Sequence, residues 1–196
     1  MQTQRTTVKR HPERGVYERA TIDAILDEAL ICHVGFNVDG QPFVIPTIHA
    51  RDGATLYLHG SPGSRMLRTL REGVDLCVTA TLLDGLVLAR SVYNHSMNYR
   101  SVVVLGQARE LTDHTEKLHA MECVVEHVVP GRWNEARQPN ESEIKATTIL
   151  ALPLDEASAK IRTGPPIDFD EDLELPVWAG VIPLDLRRGQ PYSESR

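Results

Sequence analysis

The chain has 196 residues, of which 41 % are hydrophobic and 24 % charged, and its formal net charge is −6. This composition excludes a disordered or fibrous chain, and an acidic balance without clusters of Lys and Arg excludes sequence-independent binding to nucleic acid. No apolar run approaches the roughly 20 residues that a membrane-spanning helix needs. The opening stretch, MQTQRTTVKRHPERG, is polar and has no apolar signal core, so a cytoplasmic location is expected. The length predicts a single domain over residues 1–196, with a polar arm at 1–20 and a tail at 163–196 that packs on the rest of the domain or on a partner subunit. Cys32, Cys77 and Cys123 are odd in number and far apart, which excludes a disulfide framework or a CxxC metal site and leaves buried free thiols.

After the arm, Thr21 is placed to cap a short helix, IDAILDEAL, whose Ile22, Ile25, Leu26 and Ala29 share one face. The period then shortens. ICHVGFNV, FVIPTIHA and TLYLHG read as three strands joined at Asp39-Gly40 and Asp52-Gly53, both hairpin signals. A second helix opens at Arg65. VDLCVTATLLDGLVLARS is long for one strand, so a bend or turn is expected near Asp84-Gly85. NHSMNY reads as a polar link and RSVVVLGQARELTD as another long strand. Asp113 and Glu116 fit a capping box for the helix HTEKLHAMECVVEHVV, which Pro130-Gly131 ends. Asn140 and Glu143 cap a shorter helix, and TTILALPLDEASAKIR returns to strand. The tail is rich in proline and acidic residues, with an apolar island around Trp178. Successive hairpins without a βαβ rhythm argue for an antiparallel barrel or sandwich.

The most informative stretch is HGSPGSRMLRTL. Arg65 and Arg68 stand at the start of a helix, the end whose dipole favours anions. Gly60 and Gly63 permit a tight turn, Ser61 and Ser64 offer hydroxyls, and the first helical N–H groups are unpaired donors. Together they fit a phosphate, which Arg65 can grip with two donors. The plainer alternative is that Ser64 only caps the helix while both arginines face water. YNHSMNYRS gathers Asn94, His95, Asn98, Tyr99 and Arg100 and is either a ligand loop or a polar turn. Lys160 and Arg162 share a strand face and can meet an anion or, more simply, the acidic run from Asp168 to Asp172. His119, Cys123 and His127 recur every four residues on one helix, a spacing that suits two metal ligands. Leu118, Met121, Val125 and Val128 give the same helix an apolar face, so no metal is expected there. HGSPG is not the G-x-S-x-G of a hydrolase elbow.

Taken in order, GQPFVIPTIHA, LYLHGSPGSRML, CVTATLLDGLVLARS, HSMNYRSVVVLGQA, SAKIRTGPP and LPVWAGVIPL make the chain resemble the pyridoxamine 5′-phosphate oxidase-like, FMN-binding split-barrel superfamily. Within it, the nearest likeness is to the branch of nitroimidazole-resistance proteins. The resemblance implies a mainly β fold with inserted helices: a six-stranded antiparallel split β-barrel forming a homodimer with FMN at the interface. It further implies that Pro46, Thr47 and Ile48 lie along the isoalloxazine ring. The turn carrying His59, Gly60, Ser61, Ser64 and Arg65 then holds the ribityl phosphate. Asn98, Tyr99 and Arg100 approach the flavin, and Trp178 covers the ring or the substrate opening. The C-terminal Trp-Arg signature of true pyridoxamine phosphate oxidases is missing, which argues against vitamin B6 oxidation. The expected activity is FMN-dependent transfer of electrons or hydride between an electron donor and a small-molecule substrate. His59 is the nearest candidate proton donor, or else a structural ring bonded to the turn. The alternative is a non-catalytic module that binds, stores or senses a flavin, haem or deazaflavin. No nucleic acid, membrane or metal partner is implied.

Overall fold

The computed structural model describes residues 1–193. In chain order the elements are β1 (Gly15–Val16), α1 (Arg19–Glu28), β2 (Ile31–Val38), β3 (Gln41–Asp52), β4 (Thr55–Gly60), α2 (Arg65–Leu70), β5 (Leu76–Leu88), β6 (Ser96–Gly106), β7 (Arg109–Glu110), α3 (His114–Val128), α4 (Arg132–Glu135), α5 (Glu141–Lys145), β8 (Thr148–Pro153), β9 (Glu156–Arg162) and β10 (Gly180–Pro183). Among the described residues the strands join in the order β1-β9-β6-β5-β2-β3-β4-β8-β7, with β10 on β5. The expected antiparallel β architecture with inserted helices is what the chain adopts. Among the described residues, no helix is long and apolar enough to cross a membrane.

The chain folds as two compact units. The first takes residues 1–82 and 100–161, and the second takes residues 83–99 and the described chain from 162 to 193. The first holds the main core, in which Ile22, Ile25 and Leu26 of α1 pack with Val34, Leu56, Leu58, Leu67, Val78, Val102 and Leu150. Each is almost fully removed from water, the dominant favourable contribution to folding.

Local chemistry explains the first hairpin. Asp39 and Gly40 have φ of 51° and 81°, the paired left-handed geometry of a two-residue turn that follows the twist of its strands. The next turn is shifted by one residue from the expected Asp52-Gly53. Asp52 still pairs with Thr55, so Gly53 and Ala54 form the loop. The polar arm is tied down in part, because Gly15 and Val16 pair with Lys160 and Ala159.

Other expectations change. Thr21 does not cap α1: Glu18 is the N-cap, and the Thr21 N–H already donates to the Glu18 carbonyl at 3.2 Å. No turn interrupts the chain at Asp84-Gly85, because β5 continues as strand through it. The glycine serves another purpose, since a Cβ at Gly85 would lie 3.0 Å from the Ile182 carbonyl oxygen of the paired strand. It permits close approach of β10, not a turn. The strand expected over 100–113 ends at Gly106, and a separate short strand follows at Arg109–Glu110. The 147–162 segment is likewise two strands, β8 and β9. Asp113 caps α3 by accepting from the Glu116 N–H at 2.9 Å, but the Glu116 carboxylate pairs with Arg109 instead of completing a capping box. The Asn140–Glu143 capping box does form.

The C-terminal carbonyls of α1, which have no partners within the helix, are met by two histidines. His49 Nε2–H donates to Leu26 O at 2.9 Å, and His127 Nε2–H donates to Ala29 O at 3.0 Å. The two rings pack with centroids 5.1 Å apart. His49 is fully buried, and burial lowers its pKa from 6.5 to about 4. The folded state therefore refuses a proton that the unfolded state accepts between those values. Stability is intact above pH 6.5 and falls as the pH drops to about 4. The full loss attributable to one such group is about 3 kcal/mol. Urea unfolding of the wild type and His49→Gln at pH 7.5 and 4.5 tests this. The acid-induced drop should be smaller in the variant, and an equal drop in both would assign it to other groups.

Candidate functional site

β4 ends at Gly60, and the chain turns through Ser61-Pro62-Gly63 into α2. The turn is closed by Ser64 N–H donating to Ser61 O at 2.9 Å, with Gly63 N–H donating to Ser61 Oγ at 3.2 Å. Ser64 is the N-cap: its Oγ accepts from Leu67 N–H at 3.5 Å. Met66, Leu67 and Leu70 are buried, which leaves Arg65 and Arg68 on the outer side of the helix. Among the described residues neither arginine has an ion-pair partner. Just before the turn, His59 sits half-buried in β4 opposite Ile149. Its Nδ1 is buried with no hydrogen-bond partner, and burial lowers its pKa. An orphaned ring nitrogen, the hydroxyls of exposed Ser61 and half-buried Ser64, and two guanidinium groups without an ion-pair partner among the described residues are thus set within one short stretch. That donor set suits a phosphate ester.

Arg65 also contacts the sheet. Its guanidinium carbon lies 4.7 Å from the centroid of the Phe43 ring, a cation–π distance. Phe43 in turn stacks on Phe36 across the β2–β3 pair, with centroids 5.8 Å apart. Phe36, Phe43, Ile45, Ser64, Arg65 and Met66 line an open cleft of about 270 Å³. Of the three β3 residues expected at the site, Thr47 falls on the strand face that carries Phe43 and Ile45, because side chains alternate. Pro46 and Ile48 fall on the opposite face, with Val44. Phe36, Phe43, Ile45 and Met66 were not singled out from sequence. The alternation through Ile45 and Thr47 was the available signal, but nothing local placed α2 against that strand.

Asn98, Tyr99 and Arg100 lie in β6 and not in a loop, which corrects the reading of NHSMNY as a link; of that stretch only Asn94 and His95 lie outside the strand. Arg100 is bonded through both terminal nitrogens to the Glu28 carboxylate at the end of α1, one of them at 2.8 Å. Asn98 is 9 % exposed. Its Oδ1 accepts from Arg162 and its Nδ2 donates to Gly164 O at 3.1 Å. Arg162, also buried, reaches Gly164 O and Pro165 O. Lys160 donates to Arg10 O. In the acidic run, Asp168 receives the Arg90 backbone N–H at 2.7 Å and its guanidinium at 2.8 Å. Trp178 is 62 % exposed, its ring lying beside Gly180. The His119–Cys123–His127 stripe is broken, because His127 turns to Ala29 O.

The sequence model described as pyridoxamine 5′-phosphate oxidase matches residues 18–161. The flavocytochrome Anf3 from Azotobacter vinelandii is similar at 42 % identity, with 99 % of this chain and 90 % of that chain covered and a TM-score of 0.93. A FAD and heme binding protein from Mycobacterium smegmatis is similar at 36 % identity, covering 92 % and 89 %, with a TM-score of 0.89. A structure named for 5-nitroimidazole antibiotic resistance, from Bacteroides thetaiotaomicron, shares the fold at 24 % identity over 75 % and 86 %, with a TM-score of 0.62. No curated protein sequence matches the chain.

Because Asn98 spends both ends of its amide inside the protein, it is expected to act on stability. Asn98→Ala removes an acceptor from a buried guanidinium and should cost about 2 kcal/mol. Thermal unfolding checks this; an unchanged melting temperature would free Asn98 for a ligand role.

Proposed function

The chain belongs to the pyridoxamine 5′-phosphate oxidase family, and from that premise we propose that it binds a flavin nucleotide at the His59–Arg65 turn and uses it to oxidise or reduce a small molecule. The observation that carries the proposal is Arg65, a cation with no ion-pair partner among the described residues, held over Phe43 at the rim of an apolar cleft. A phosphate there meets the guanidinium, the Ser61 and Ser64 hydroxyls and the first N–H groups of α2. The flavin supplies the electron chemistry when bound; the protein supplies position and electrostatics. Ile45 and Thr47 offer an apolar wall to the ring. His59, kept neutral by burial, offers its unpartnered Nδ1 as a hydrogen-bonding group. Backbone N–H groups are the proposed donors to the ring edge, because Glu28 already engages Arg100. The exposed Trp178 is the residue proposed to cover a bound ring or substrate.

The FMN expected from the resemblance gives way to FAD as the favoured nucleotide, because the Mycobacterium smegmatis relative is named for FAD. That name and the word flavocytochrome also support a haem as a second bound group. His95 suits it. Its Nδ1 is hydrogen-bonded to Ser91 O at 3.1 Å, the arrangement that presents Nε2 as a basic ligand, and Val92, Tyr93 and Met97 nearby are exposed.

A second copy of the chain is the proposed partner. Ile31, Val44 and Ile48 are 51 %, 63 % and 37 % exposed. The β2–β3 register sets them on one face with His33 and Pro46. An apolar face of this kind marks an interaction site.

Absorption spectroscopy with FAD and FMN titrations tests the assignment. Expected are a flavin spectrum that bleaches with a nicotinamide donor and recovers in air, and a Soret band if haem is the second group. Arg65→Ala should weaken flavin binding about 30-fold, the loss of roughly 2 kcal/mol of charge-assisted contacts. Unchanged affinity would sink the phosphate assignment. For the dimer, Val44→Glu should sediment as a monomer under conditions where the wild type does not, and a wild type that sediments as a monomer would refute it.

A further inference from the structure

Away from the cleft, Asp52, His119 and Cys123 converge at the far end of β3. Asp52 is the last residue of that strand, held by its pairing with Thr55. His119 and Cys123 are one turn apart on α3, which buries Ala120 and Val124. His119 Nε2 lies 2.9 Å from Asp52 Oδ2 and 3.6 Å from Cys123 Sγ. All three donor atoms lie within 4.8 Å of one another.

The contacts do not make a catalytic relay. In a triad the base uses one ring nitrogen toward the nucleophile and the other toward the carboxylate. Here the thiol and the carboxylate meet the same nitrogen. Three different donor atoms around one point form a coordination set. We propose that Asp52, His119 and Cys123 bind a zinc ion, with water in the fourth position.

The distances suit that ion. Zinc bonds of about 2.0–2.1 Å to nitrogen and oxygen and 2.3 Å to sulfur give tetrahedral edges of roughly 3.3–3.6 Å. The His119–Cys123 separation of 3.6 Å already matches. The His119–Asp52 pair opens by a few tenths of an ångström, within reach of a carboxylate rotation about its side-chain bonds. A thiolate with an imidazole and a carboxylate selects zinc over magnesium or calcium, which prefer oxygen. The His119 and Asp52 side chains are 50 % and 56 % exposed, so the ion has an entry path and solvent for its open position. Tyr57 stands edge-on to the His119 ring, centroids 6.5 Å apart at 89°, and steadies its orientation. Glu116, one turn earlier, is engaged by Arg109. His127, the third member of the sequence stripe, is committed to Ala29 O. The ion therefore clips α3 to the end of β3 independently of any flavin.

The test uses the purified full-length chain freed of metal by a chelator and titrated with zinc chloride against a chromophoric competitor. One zinc per chain is expected, with micromolar or tighter affinity and no competition from magnesium. Cys123→Ser, His119→Gln and Asp52→Asn should each weaken binding on the order of 10–100-fold or more, and His127→Gln should leave it unchanged. Melting curves of each variant without metal confirm that the fold is retained. Zinc should raise the melting temperature of the wild type and not of Cys123→Ser. It should also protect Cys123, and not Cys77, from iodoacetamide. Absence of zinc binding, binding that survives loss of both His119 and Cys123, or loss in His127→Gln with Asp52→Asn unaffected would overturn the proposal.

Discussion

Strand β3 changes partner between Ile48 and His49, and the first unit is arranged around that change. Its first eight residues pair with β2 and its last four with β4. Backbone donors and acceptors must be satisfied wherever they are buried, so the strand is covered only where both constraints hold. His49 and Ala50 are buried at the switch, whereas Pro42 and Val44–Pro46 remain exposed. The apolar wall beside Arg65, the exposed face with Ile31 and Val44, and the position of Asp52 all follow from where one strand leaves one neighbour for another.

The same switch explains the end of α1. A helix ending against a sheet needs donors for its last carbonyls, and the sheet must supply them from side chains because its own backbone is paired. His49 reaches Leu26 from β3 and His127 reaches Ala29 from α3. The arrangement ties helix, strand and second helix at one point, and makes a buried neutral imidazole part of the fold.

Charge placement divides along similar lines. Arg51, Arg100, Arg109 and Arg137 each find a carboxylate, and Arg162 is buried among carbonyls and an amide. Among the described residues Arg65 and Arg68 find none. Arg65 at the start of α2 opposes the local dipole, which is why an anion is proposed as its partner, whereas Arg68 stands in the last turn. Arg65 leans on Phe43 in the meantime, which holds the guanidinium at the rim of the cleft.

Much of this was legible in the sequence. Strand and helix identities followed from period, and the Asp39-Gly40 turn and the Asn140 capping box from local chemistry whose partners lie a few residues away. The turn from His59 to Arg65 was legible for the same reason. Gly85 was misread because its constraint is a strand nearly a hundred residues on, and Asn98 was placed in a link, not a strand, because its partner Arg162 is also far along the chain. The His119–Cys123 spacing was visible, but Asp52 was not, and His127 seemed equivalent until α1 offered it a carbonyl. By itself the sequence determined the elements, their turns and caps, and the misfit of Arg65, since each depends on neighbours within a turn of helix or a hairpin. Tertiary structure alone decided which faces meet, which arginines are neutralised and which donor atoms converge, because those depend on contacts between residues that chain order does not bring together.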